Sequence, residues 1–252
     1  MFTQFFVQLS YKFDILTRLF NSLLSVSLSL FAWNAIYLSS NNTEIGSYTR
    51  SQMLIYIVLV NIGMSIFSPG IVVRLGSLVR SGKLTMHLLR PYSFLGESLA
   101  SYMGERFMSI LFYCLIIPAT LFIGYNASYA ALLLLLFFCN LAMFFLMISL
   151  VSNLGFWLIQ MWPLRPVITV AYSLLGGLFF PLNLLPQEIY HAISKNPFAL
   201  VGYQFVLALQ GELSTGEVAQ NLFYAVLWSV LFYGLYKLSF ARGLRKYEGM
   251  GA

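Results

Sequence analysis

The sequence predicts an all-α integral membrane fold of six spans, on three observations. Of its 252 residues 60% are apolar and 9% charged, with a mean hydropathy of +0.81, where a soluble domain carries about 25% charged residues. No charged residue lies between Arg106 and Arg165, a run of 58 residues. Lys and Arg are also sorted by loop, as the positive-inside rule requires of a multi-pass chain. Together these exclude a water-soluble globular protein.

The elements follow in order. About 20 apolar residues cross a bilayer, and six stretches qualify, near 19–38, 52–73, 107–124, 129–151, 166–183 and 218–237. Runs of that length lack the alternation of barrel strands, so they are helices. The uncharged run is too long for one span, and Gly124-Tyr-Asn-Ala-Ser128 divides it. Ahead of the first span, Phe2, Phe5, Phe6, Leu9, Phe13 and Leu16 recur at helical spacing, with Gln4, Gln8 and Lys12 on another face. Residues 1–18 therefore read as an amphipathic helix lying in the interface. Lys12, Asp14 and Arg18 interrupt it, so it is not a cleavable signal. Of the 14 Lys and Arg, only Arg50 and Lys195 fall outside one set of loops. Both termini are accordingly expected in the cytoplasm. The net charge of +6 is then an orientation signal rather than a mark of nucleic-acid binding.

Candidate chemistry is sparse. The spans hold no Asp, Glu, Lys, Arg or His short of Lys237 at the end of the last, which argues against a proton-coupled carrier or pump. His87 and His191 are expected on opposite sides of the membrane, too far apart to share a metal. Cys114 and Cys139 lie deep in apolar runs and suggest no disulfide framework. The segment Gly76-Ser-Leu-Val-Arg-Ser-Gly82-Lys83-Leu84 has five residues between its glycines where a P-loop has four. Leu84 also stands where Mg²⁺ needs a hydroxyl. No nucleotide cradle forms here, and no cofactor is expected on this chain.

Two segments have a distinct texture. In the cytoplasmic loop 74–106, Arg74, Arg80, Lys83 and Arg90 alternate with Leu75, Leu78, Leu84, Leu88 and Leu89 before Pro91-Tyr92-Ser93-Phe94. Pro91 excludes Arg90 from the helical region and can open a new helix. The expected product is a kinked knob that docks a partner, with Arg80, Lys83, Leu88, Leu89, Arg90, Pro91, Tyr92 and Phe94 as contact residues. Outside, in the region 181–217, Pro181, Pro186 and Pro197 break an apolar run preceded by Gly176 and Gly177. It reads as re-entrant short helices, with these five residues forming an external gate.

The stretch Arg80-Ser-Gly82-Lys-Leu84-Thr-Met-His-Leu-Leu89-Arg90-Pro91 resembles the signature loop of ABC-2 type permeases, in the branch of small six-span exporter subunits often encoded in pairs. The ending Gly243-Leu-Arg245-Lys-Tyr247-Glu248 resembles that branch too, as Pro181…Leu185-Pro186…Asn196-Pro197 resembles the external region of ABC-2 exporters. Lys83 stands where an acid is frequent. The resemblance implies a type V exporter fold: two six-span subunits, an N-terminal interface helix and a coupling helix between spans two and three. It also implies separate ATPase subunits that bind ATP and Mg²⁺, a homologous permease as homo- or heterodimer partner, and a place in the bacterial inner membrane.

A secondary carrier without ATP, and a scaffold or immunity subunit that moves nothing, are the other classes compatible with the residues. With 23 Phe and 16 Tyr, an aromatic-lined pathway could take amphipathic or cationic organic molecules. Asn34, Asn61, Asn140, Tyr56, Tyr113 and Tyr172 are the neutral polar groups within spans.

Overall fold

The computed structural model describes residues 12–40, 44–119, 121 and 124–247. Helix α1 runs Lys12–Ser39 and is followed by a hairpin of β1 (Glu44–Ile45) and β2 (Tyr48–Thr49). Helix α2 (Arg50–Ile66) starts at a capping box, in which the Thr49 hydroxyl accepts from the Gln52 N–H and the Gln52 side chain accepts from the Thr49 N–H. Then come α3 (Arg74–Arg80), α4 (Leu84–Leu88), α5 (Phe94–Glu105) and α6 (Phe107–Ala119). Helix α7 (Ala127–Ser152) crosses the centre, ending in a 3-10 turn at Asn153–Phe156. Helices α8 (Leu164–Leu175), α9 (Gln187–Ile193), α10 (Pro197–Val201) and α11 (Tyr203–Gln210) are short. The last, α12 (Thr215–Lys246), packs along α7.

Among the described residues, three stretches are long and apolar enough to cross a membrane: Arg50–Arg80, Ala127–Phe156 and Thr215–Lys246. A fourth is the pair Phe94–Glu105 and Phe107–Pro118, bent by 70°. Local backbone events explain why six long uniform helices are not seen. Segment 166–183 is cut at Leu175, because Gly176 and Gly177 follow and Gly177 takes φ +78°. The region 74–106 is largely helical, and α5 within it is a helix of 12 residues that counts toward a span only together with α6. The expected interface helix 1–18 lies outside the described residues up to residue 11, and residues 12–18 run without a break into α1.

Aromatic stacking organises the core around α7. Tyr113 lies parallel to Phe137 at 5.5 Å, and Phe137 stacks on Phe205 at 5.9 Å. Phe144 joins Phe67 and Tyr172, and Tyr172 stacks on Phe198. Buried hydrogen bonds set the depth of α10 and α11 against α7. Asn140 Nδ2 donates to Leu200 O at 3.0 Å, and the Tyr129 hydroxyl donates to Ala208 O at 2.8 Å. Within an apolar medium such bonds are costly to leave unmade.

Tertiary contacts sort the connecting segments into two ends. Trp33 donates to Phe179 O, Tyr37 to Tyr48 O, Tyr56 to Gly177 O and Asn183 to Ser47 Oγ. These gather the hairpin and the proline-rich segment at one end. At the other, Arg80 donates to Ile159 O, Asn153 to Tyr236 O and Tyr247 to Gly82 O. That second, basic end holds α3–α5, the turn after α7 and the C-terminal turns of α12.

Candidate partner-docking surface

At the basic end a small satellite core holds the loop in place. Leu75, Leu84 and Phe156 are buried together, with Leu78, Val79, Phe94, Phe240, Leu244 and Tyr247 packed around them. Leu84, in the position a P-loop reserves for a hydroxyl, is wholly buried here. The root is tight because α3 and the turn after α7 touch backbone to backbone. A Cβ on Gly155 would lie 2.6 Å from the Gly76 Cα, so only glycine permits this crossing.

Electrostatics shape the next layer. The Glu97 carboxylate accepts from Arg74 Nη2 at 2.9 Å and pairs with His87 Nδ1 at 2.8 Å. Arg90 Nη1 stands 3.6 Å from the same carboxylate and donates to the Tyr92 hydroxyl at 2.9 Å. One acid thus ties the helix before the knob, the knob itself and the arginine at its tip. Ser93 caps α5 by accepting from the Gly96 N–H.

The contact residues expected from the sequence divide in two. Leu89 is 81% exposed, and Leu88, Tyr92 and Met86 are also exposed, with Arg80, Lys83, Arg90 and Pro91 beside them. Phe94 points the other way, stacked on Phe240 at 5.8 Å and edge-on to His87. It serves the satellite core because α12 offers it an aromatic face. Glu97 is not among the contact residues expected from the sequence. Its signal was available, since it is the sole acid between Arg74 and Glu105.

Arg106 marks the break between α5 and α6. Its buried guanidinium donates to Ile66 O at 2.7 Å and Ser68 O at 3.0 Å, and lies over the Tyr102 ring at 4.2 Å. The Tyr102 hydroxyl donates to Ile66 O as well. The carbonyls left over at the end of α2 are satisfied this way, and α2 is bound to the start of α6.

The proposed gate residues lie at the opposite end, four of them inside the fold. Gly176, Gly177, Pro181 and Pro197 are buried, and Pro186 is exposed. Gly176 O accepts from the Tyr203 N–H at 2.8 Å and Gly177 O from the Tyr56 hydroxyl at 2.6 Å. Nearby, Lys195 Nζ donates to Asn221 Oδ1 at 2.7 Å and burial pushes its pKa down. Of the polar span residues, Asn140, Tyr56, Tyr113 and Tyr172 are buried in the core. Asn34 instead lines a groove of about 630 Å³ between α1 and α2, with Ser27, Leu30, Phe31, Leu54, Ile55, Val58 and Leu59.

The family model of the ABC-2 family transporter proteins matches residues 23–251, which includes both ends just described. The chain belongs to the ABC-2 transporter family. Searches of curated proteins and of solved structures matched nothing. As an ABC-2 family member with long apolar helices, it is a multi-pass membrane protein of the permease class, a class that is generally non-catalytic.

Proposed function

We propose that this ABC-2 protein is the six-span permease subunit of an ATP-driven exporter in a bacterial inner membrane, with both termini in the cytoplasm. In this reading α1, α2–α3, α5–α6, α7, α8 and α12 supply the spans. Separate ATPase subunits, holding ATP and Mg²⁺, dock on the basic end, and a second permease subunit completes the transporter. The observation that carries the reading is the knob, an exposed apolar tip ringed by cations on a root that cannot slip. Leu88, Leu89 and Tyr92 suit a hydrophobic groove, and Arg80, Lys83 and Arg90 suit a carboxylate-rich rim.

The linkage supplies a mechanism. A push on the knob reaches α7 through the Gly76–Gly155 crossing and α12 through the Phe94–Phe240 stack. Through Glu97 it enters α5, and through Arg106 it crosses to α2. One displacement therefore moves several spans together. The α1–α2 groove, with Ser27 and Asn34 in an otherwise apolar lining, is the place for an amphipathic organic substrate. At the far end the proline-rich segment acts as the outer gate.

Co-expression with an ATPase that has a complete P-loop tests the proposal. The two should co-purify, and proteoliposomes of the complex should show ATP-dependent substrate movement. Failure of every encoded partner ATPase to bind would overturn it.

A further inference from the structure

A small cavity lies where the knob's root meets the spans. It is lined by Ile71, Arg74, Leu75, Phe94, Leu95, Ser98, Ser149, Ser152, Asn153 and Tyr236, with about 10 Å³ open to the centre of a water molecule. That is room for one water, which in a protein interior needs two to four polar partners. Among the described residues, three buried polar atoms that meet no protein partner belong to residues on its wall: Arg74 Nη1, Ser149 Oγ and Asn153 Oδ1. Asn153 is wholly buried and Ser149 is 6% exposed.

The donor and acceptor roles are settled by the neighbours. Asn153 Nδ2 donates to Tyr236 O at 3.1 Å, so the amide cannot be turned over and Oδ1 is an acceptor. Arg74 commits Nη2 to Glu97, which leaves Nη1 as a donor. The Ser149 hydroxyl can do either. An anion would meet the Asn153 carbonyl oxygen and a cation would meet the Arg74 guanidinium. A neutral molecule that both donates and accepts fits all three.

We propose that this cavity is a binding site for a single ordered water. The water accepts from Arg74 Nη1, donates to Asn153 Oδ1 and shares its third bond with the Ser149 hydroxyl. It joins the base of α3 to α7 and the turn after it, beside the Gly76–Gly155 crossing. The joint under the knob is thus hydrated, and its bonds can be exchanged as the knob moves. The site stands whether or not the knob docks an ATPase.

The purified full chain in lipid nanodiscs allows two measurements. A high-resolution map should show a solvent peak within hydrogen-bond distance of those three atoms. Its absence, in a map that shows other buried waters, would overturn the site. Ser149→Ala gives a sign test without overpacking. If the hydroxyl binds water, its loss should lower the Tm by about 2–4 °C. If the cavity is dry, removing a partnerless hydroxyl should leave the Tm unchanged or raise it, which would also refute the proposal.

Discussion

The Tyr247 hydroxyl donates to the carbonyl oxygen of Gly82 at 2.9 Å, joining residues 165 positions apart in the chain. The Tyr247 hydroxyl oxygen in turn accepts from the Thr85 N–H at 3.3 Å and lies 3.0 Å from Thr85 Oγ1. The end of α12 therefore clamps the turn between α3 and α4. Gly82 sits in that turn at φ +68°, a conformation favoured by glycine. Loop and tail are also two of the three stretches whose residues carry the family resemblance.

Tyr247→Phe keeps the ring in the satellite core and removes those bonds. We expect a loss of about 1 kcal/mol, seen as a lower Tm for the purified chain, together with weaker ATPase retention. An unchanged Tm would show that the clamp contributes nothing.

Leu89 and Phe94 should behave oppositely. Leu89→Ala touches an exposed tip and should leave stability within about 0.5 kcal/mol, yet reduce ATPase co-purification. Phe94→Ala strips a ring from the Phe240 stack and should cost about 1–3 kcal/mol, a figure reduced from that of a fully buried phenylalanine. Thermal melts and pull-downs on the same pair of variants separate the roles. Leu89→Ala with full docking would remove the tip from the interface.

Arg90→Glu sets a second carboxylate beside Glu97 and reverses the charge at the tip. Docking should weaken at least tenfold, which needs only about 1.4 kcal/mol. Arg50→Glu, on an exposed residue at the other end of α2, is the control and should leave docking unchanged. Equal retention of the ATPase by both variants would reduce the knob to a patch resting on lipid headgroups.

Gly177→Ala should damage the fold rather than the gate. Its Cβ would lie 2.6 Å from the Tyr56 hydroxyl at a φ of +78°, where a non-glycine residue costs about 1–2 kcal/mol. Lower yield and Tm are expected, so a transport defect at Gly177 would report packing. Exposed Pro186 and Ile189 are the informative positions for a gate. Full stability of Gly177→Ala would mean that the turn relaxes.

Orientation is open to direct measurement. Single cysteines at Ser47 and Ser81, both exposed and at opposite ends, should differ in intact cells. Ser47 should react with an impermeant thiol reagent and Ser81 should not. The reverse pattern would place the basic end outside.

The sequence by itself determined the membrane class, the helical state and the family, since hydropathy, charge bias and motif spacing are sums taken along the chain. It also marked the basic loop 74–106 and the proline-rich segment as the unusual parts. Only the tertiary structure decided which side chains of those parts face outward. Leu89 and Phe94 are both apolar residues of one loop, and Phe94 is drawn inward because α12, more than a hundred residues later, brings Phe240 alongside it. Glu97 became the hub of the knob because folding placed Arg74, His87 and Arg90 around it. The break at Arg106 has the same origin, as the carbonyls that its guanidinium satisfies are those of Ile66 and Ser68. Hydropathy counts how much apolar surface a segment must bury, but the partner that buries it, and so the direction each side chain takes, is set by elements distant in the chain.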